Sequence, residues 1–251
     1  MIMKTRSLIL ILILAAFSLQ VSATVKSDLD AANKNGNSVF LVVTDPNVAG
    51  TDKAIEIANK AKESLSKSVV LQMNRSDAAN TELVTKYRLT GAPLPLVLVI
   101  ASNGIVAAGY TLTQATPELL VKSVPSPKKA DVMKALSEGK SVFIVVTGKS
   151  MAEKSTIMNT CQQACIEMEN NAKMIEISLD DTKETSFLTE LKVNMTAKEP
   201  TTYVINTKGQ VTGTFTDDVN STTLVASAKK VSASGCGPAG CGGKSCGPTK
   251  K

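Results

Sequence analysis

The residues best able to do chemistry are five cysteines, all in the second half of the 251-residue chain. Three of them, Cys236, Cys241 and Cys246, recur every five residues in a Gly-rich segment at the C-terminus. Because Gly makes the backbone compliant, their sulfurs can converge at small steric cost. Thiolates without His ligands suit a soft ion such as Cu(I) or Zn²⁺. The same thiols could instead exchange disulfides, and their odd number leaves at least one free, paired elsewhere or bound to metal.

The segment that carries these thiols, residues 232–251, has no apolar residue larger than Ala or Pro apart from its cysteines. Such a composition cannot bury a core, so we expect a disordered Gly/Cys-rich tail. Soft-metal binding and delivery, thiol–disulfide exchange and a solvated tail without a role are the alternatives that the sequence leaves open for it.

The other two cysteines, Cys161 and Cys165, lie four residues apart on a predicted helix and therefore share a face. One interpretation makes Cys161 a small core residue between Ile157 and Met168, because free Cys is often buried. The other makes the pair an oxidisable dithiol or a ligand for a thiophilic ion. A position in the middle of a helix lacks the dipole of the N-terminus, so a strongly reactive thiolate is not expected there.

The rest of the composition excludes several classes of function. The chain has no His, which removes imidazole bases, His-ligated metals and His-activated nucleophiles. No pair of carboxylates suggests hydrolysis, so the sequence leans towards a protein that is not an enzyme. The net charge of +6 is carried largely by the N-terminal segment and the tail. A nearly neutral globular part gives no basic patch for nucleic acid.

The first 23 residues have the pattern of a secretory signal peptide. Lys4 and Arg6 precede the apolar run Leu8–Phe17, and Val21-Ser22-Ala23 offers small residues at the cleavage positions. The run is short for a bilayer, although an uncleaved N-terminal anchor is the alternative. We therefore expect an exported protein, periplasmic or secreted, with no membrane span in the mature chain.

A strand-like stretch that occurs twice defines the domains. Ser38–Thr44 returns 103 residues later as Ser141–Thr147, and both are continuous apolar runs rich in β-branched residues. Such a run predicts a central strand covered on both faces. Around each copy the same order of helices, strands, a Pro-preceded strand and a hairpin recurs. We therefore predict α/β domains over residues 24–124 and 130–231, joined by a linker at 125–129.

This order resembles the thioredoxin fold, and each repeat covers one whole domain of that kind. The matching features are the buried strand, the turn into a long helix and a Pro directly before the hairpin strands. In that family the Pro is usually cis and lies beside the active site, which implies cis bonds before Pro95 and Pro200. The fold class is thus α/β, with two tandem thioredoxin-like domains and a disordered tail.

The usual redox site of that family is absent from both repeats. Its disulfide-exchanging members carry C-x-x-C at the turn after the first strand, where a helix N-terminus lowers the pKa of the thiol. The corresponding turns here, 45–50 and 148–153, contain no Cys. The sequence therefore favours a binding or scaffold module for another protein, with thiol exchange or soft-metal binding through the tail as the alternative.

Overall fold

A computed structural model of the chain describes residues 24–149, 151–216 and 218–231. The predicted signal peptide and the tail with Cys236, Cys241 and Cys246 lie outside these residues and stay predictions. Within the described ranges, no helix combines the length and the apolar character needed to cross a bilayer.

The described residues form two successive sets of helices and strands in the same order. The first set is α1 (Val25–Lys34), β1 (Ser38–Thr44), α2 (Thr51–Glu63), β2 (Ser68–Asn74), the 3₁₀ turn Ala78–Asn80, α3 (Thr81–Lys86), β3 (Leu96–Ile100), β4 (Val106–Thr111) and α4 (Pro117–Lys122). The second set is α5 (Pro127–Ser137), β5 (Ser141–Thr147), α6 (Lys154–Glu167), β6 (Ala172–Ser178), the 3₁₀ turn Thr182–Glu184, α7 (Thr185–Glu190), β7 (Thr201–Ile205), β8 (Val211–Phe215) and α8 (Ser221–Lys229).

Each set builds one four-stranded mixed sheet, in the order β2-β1-β3-β4 and β6-β5-β7-β8. The central strand pairs parallel with the second strand and antiparallel with the third, which pairs antiparallel with the fourth. Helices cover both faces. This is the thioredoxin-like arrangement, present twice, so the predicted α/β class with two tandem thioredoxin-like domains is confirmed.

The central strands carry the core. All seven residues of β1 and all seven of β5 are buried, because helices pack on both faces of each sheet. Successive side chains point to opposite faces, so in β1 Val39, Leu41 and Val43 join one apolar cluster. Phe40 and Val42 join the other, against α2.

The edge hairpins contain matching irregularities. In the first domain Val99 pairs with Ala108 and Ile100 with Val106, which leaves Ala107 as an extra residue in β4. In the second, Val204 pairs with Gly213 and Ile205 with Val211. Strands β4 and β8 therefore each carry a one-residue β-bulge at the same place.

The connection between the two sheets is more ordered than the sequence predicts. Helix α5 begins at Pro127, inside the segment predicted as a linker, and Pro is well suited to the first helical position. The Glu184 side chain is fully buried beneath this start. Its carboxylate accepts hydrogen bonds from the Ser126 hydroxyl (2.6 Å) and the Lys128 backbone N–H (2.9 Å). A buried carboxylate thus satisfies the first turn of α5.

Candidate functional site

The turn after β1, where redox members of this fold carry their thiols, is held by a polar cluster in the first domain. Asp45 Oδ2 accepts from Arg75 Nη2 (2.6 Å) and Nε (3.1 Å), and Oδ1 accepts from the Ser76 hydroxyl (2.7 Å). The Ser76 hydroxyl and then the Arg75 guanidinium hold the pKa of Asp45 below its usual range. The carboxylate is therefore charged throughout the neutral pH range.

Arg75 connects this turn to the segment that precedes the hairpin strands. Its Nη1 donates to the carbonyl oxygen of Ala92 (2.8 Å), and its backbone N–H donates to the Thr44 carbonyl (2.7 Å). The peptide bond between Leu94 and Pro95 is cis. One side chain thus fixes the β1 turn against the approach to Pro95.

The start of α2 is closed by close packing. Gly50, the residue before the helix, has φ +83, and a Cβ added to it would lie 2.5 Å from Leu112 Cδ2. Leu112 therefore occupies the space beside the first turn of α2. A shallow cavity of about 450 Å³ remains, lined by the turn residues with Gln72 and Asn74.

The second domain organises the same turn by different contacts. Gly148 follows β5 as Asp45 follows β1, and its N–H donates to Met151 Sδ (3.0 Å). Lys154 pairs with Glu176 (2.6 Å), whose carboxylate also accepts from the Thr147 hydroxyl (2.7 Å). Lys154 and then Thr147 lower the pKa of Glu176. Around this turn the described residues supply the Lys154–Glu176 ion pair and the Met151 thioether, but no thiol.

The expectation of a second cis proline is wrong. Among the described residues only the Leu94–Pro95 peptide bond is cis, and the bond between Glu199 and Pro200 is trans. The shared position before a hairpin strand therefore does not by itself impose the cis form. Pro200 lines an open cleft of about 810 Å³ beside the start of α6.

Cys161 and Cys165 lie in the core of the second domain and not at its surface. Their side chains belong to the apolar cluster between α6, α8 and the sheet, with 0% and 5% of their surface exposed. Burial raises the pKa of the Cys161 thiol to about 12, against a smaller opposing effect of the neighbouring Thr202. Burial also raises the pKa of Cys165. Neither thiol is positioned to act as a thiolate nucleophile at neutral pH.

Two features of these sites were not predicted from the sequence: the Asp45–Arg75–Ser76 cluster and the cleft beside Pro200. Asp45 directly follows β1, and Arg75 directly follows β2. Because the ends of parallel neighbouring strands meet at one edge of the sheet, this placement was a signal that could have brought them together.

Among known proteins, the chain shows similarity only to solved structures. No protein-family model matches the sequence, and no curated protein matches it. The first two thioredoxin domains of Eps1p from Naumovozyma dairenensis align at 11% identity and a TM-score of 0.33, over 80% of this chain and 95% of that one. The corresponding domains of Saccharomyces cerevisiae Eps1p align at 10% identity and 0.30, over 83% and 96%. The zinc-bound form of human ERp44 aligns at 11% and 0.36, over 81% and 56%. Such low scores identify no family and no activity.

Proposed function

We propose that the protein is an exported binding or scaffold module, in which two thioredoxin-like domains without a redox site hold a protein partner. The observation that carries this proposal is the chemistry at the β1 turn. The Asp45–Arg75–Ser76 cluster fills the place where a redox domain needs a nucleophilic thiol. The signal-peptide pattern of residues 1–23 supports export.

The cysteines of the folded part support a role without thiol exchange. Exchange requires an accessible thiolate, which forms when a helix N-terminus or a nearby cation lowers the thiol pKa. Cys161 has the opposite environment, since it is fully buried and its pKa is raised to about 12.

The surface around the β1 turn suits a segment of polypeptide better than a small apolar ligand. The cavity beside the turn is lined by the exposed polar residues Asn47, Asp52 and Gln72. Arg75 joins the turn to the approach to Pro95 through hydrogen bonds to Asp45 and to the Ala92 carbonyl, and such cross-links reduce the ordering that binding requires. A fixed polar surface of this kind favours hydrogen bonding to an extended chain.

The redox part of the proposal is tested by insulin reduction with the mature chain shortened to end at Val231. We expect reduction at background, because the two remaining thiols are buried. Turnover like that of a C-x-x-C enzyme would show that Cys161 and Cys165 are an active pair, and would refute the proposal.

The binding part is tested by selecting displayed peptides on the intact mature protein. Peptides that bind the first domain should lose affinity for Arg75→Ala, which releases the β1 turn. The matched control is Lys26→Ala, which removes an exposed ion pair with Glu82 elsewhere in that domain. Equal affinity for both variants would refute the β1 turn as the binding surface.

A second candidate function rests on the period-five thiols of the tail, Cys236, Cys241 and Cys246. Three thiolates would bind a soft ion and release protons, so affinity should rise with pH through the thiol range. The test is a titration of reduced protein with Cu(I) or Zn²⁺ against the variant with all three changed to Ser. Equal binding by both would remove the metal role, and mixed disulfides after purification would favour exchange.

A further inference from the structure

The cleft beside Pro200 is acidic and its carboxylates are uncompensated. Its rim carries three exposed side chains, Glu153, Glu199 and Asp218, and its floor includes the buried Ile157 and Pro200. The ion pairs among the described residues all use other carboxylates. An apolar floor under three free negative charges fits a chain segment that carries lysines on a small-residue backbone.

The corresponding place in the first domain is closed. Strand pairing makes Thr111 the counterpart of Thr216, so Leu112 and Thr113 correspond to Asp217 and Asp218. Asp217 lies outside the described residues. At the start of the long helix Gly50 corresponds to Glu153, since each precedes the first helical residue.

The Gly50–Leu112 contact thus fills in one domain the space that stays open in the other. The cleft is therefore a property of the second domain and not of the fold that both domains share.

We propose that this cleft binds the C-terminal segment of the same chain, residues 232–251, through Lys244, Lys250 and Lys251. These are the charged side chains of the segment, which has no Asp or Glu. Their charge matches the three free carboxylates in number and is opposite in sign. The residues between Lys244 and Lys250 are Ser, Cys, Gly, Pro and Thr, which are small enough to lie over the floor of the cleft.

The geometry of the chain allows this docking. The cleft includes Asn220 at the start of α8, and the helix ends at Lys229, about 14 Å away at the rise of an α-helix. The segment that follows spans up to roughly 65 Å when extended. Tethering gives it an effective concentration on the order of millimolar, which favours it over a separate peptide with the same charges.

Docking of the tail would have a chemical consequence. Lys244 stands three residues from Cys241 and two from Cys246. A lysine held in the cleft therefore places two thiols beside Pro200 and the first turn of α6, where the domain itself supplies none among the described residues. This inference goes beyond the proposed function, since it holds whether or not the first domain binds a partner.

The test is paramagnetic broadening in the intact mature chain. Cys236 and Cys241 are changed to Ser, a nitroxide is attached to Cys246, and amide signals are followed by NMR. We expect the signals of Thr156, Thr160 and Asn220 to lose at least half of their intensity. Those of Gly50, Leu112 and Thr113, which form the closed counterpart in the first domain, should be unaffected.

Charge reversal supplies the decisive control. Changing Lys244, Lys250 and Lys251 to Glu alters the tail alone, so the domains stay folded, and the broadening should disappear. High salt should weaken it in the unmutated tail, because exposed charges are screened. Broadening that survives charge reversal, or that is equal in both domains, overturns the proposal. Broadening between separately labelled molecules would assign the cleft to a second copy and overturns it too.

Discussion

Replacement of Glu184 should destabilise the second domain through the start of α5. Its carboxylate is fully buried and accepts hydrogen bonds from the Ser126 hydroxyl and the Lys128 N–H. Hydrogen bonds to a charged group contribute about 1.5–3 kcal/mol each, and Ser126 is partly exposed, so water can replace one of them. We therefore expect Glu184→Ala to lower the free energy of unfolding by about 3 kcal/mol.

Glu184→Gln serves as the matched variant. It keeps one carbonyl acceptor for the Lys128 N–H, and its amide can donate to the Ser126 hydroxyl, so the expected loss is about 1 kcal/mol. Ser126→Ala should cost a similar amount, because it removes one partner of the carboxylate.

Hydrogen exchange by mass spectrometry is the suitable assay, since a chain with two domains need not unfold in one step. The protection of β5 and β6 reports the stability of the second domain. A cost below about 1 kcal/mol for Glu184→Ala, or an equal cost for Ala and Gln, would refute the reasoning.

Three further predictions concern the turns and the core. The pKa of Glu176 is lowered from about 4.5, so the ionised side chain stabilises the folded state above that pH, and this stabilisation is lost as the pH falls below it. The difference in unfolding free energy between wild type and Glu176→Gln should therefore shrink on acidification. Cys161 should resist alkylation in the native, tail-less protein and react only on unfolding, because its pKa is about 12. Gly50→Ala should destabilise by about 1–3 kcal/mol, through its positive φ and the contact with Leu112.

Each of these has its own control. Thr147→Val removes one hydrogen bond to Glu176, so at neutral pH it should cause part of the stability loss seen for Glu176→Gln. If the stability of Glu176→Gln varied with pH as that of the wild type does, the prediction would be contradicted. Alkylation of the native thiol at the rate of a free peptide would show that the core opens. Gly36 has a similar φ of +70, and a Cβ added to it would meet nothing within 4 Å, so Gly36→Ala measures the cost of the backbone conformation alone. An equal loss of stability for the two Gly→Ala variants would show that Leu112 contributes nothing.

The fold was predictable because its strongest signal is local. A seven-residue apolar run bounded by turn residues and repeated 103 residues later needs no tertiary information, and β1 and β5 are buried as that pattern predicts. Glu184 was not predictable, because a carboxylate on a short helix is ordinarily solvated. Its burial depends on the start of α5, which sequence analysis placed three residues too late.

The candidate site was less accessible to sequence reasoning. Asp45 and Arg75 stand thirty residues apart, and their pairing depends on parallel strand neighbours that spacing alone does not specify. The sequence pattern around Pro200, a Pro directly before a hairpin strand, is the same as that around Pro95, and it does not distinguish the trans bond before Pro200 from the cis bond before Pro95. Cys165 aligns with the exposed Lys62 of the first repeat, yet it is buried beside Met174 of β6.

The bulges in β4 and β8 also affect how two molecules can meet at these borders of their sheets. A flat fourth strand would leave a row of unpaired backbone groups on which the sheet of a neighbouring molecule could continue. The extra residues, Ala107 in β4 and Thr212 in β8, kink and twist those rows out of alignment. These bulges oppose the addition of a further strand at the β4 and β8 borders, whereas β2 and β6, which form the other border of each sheet, pair with β1 and β5 in unbroken register.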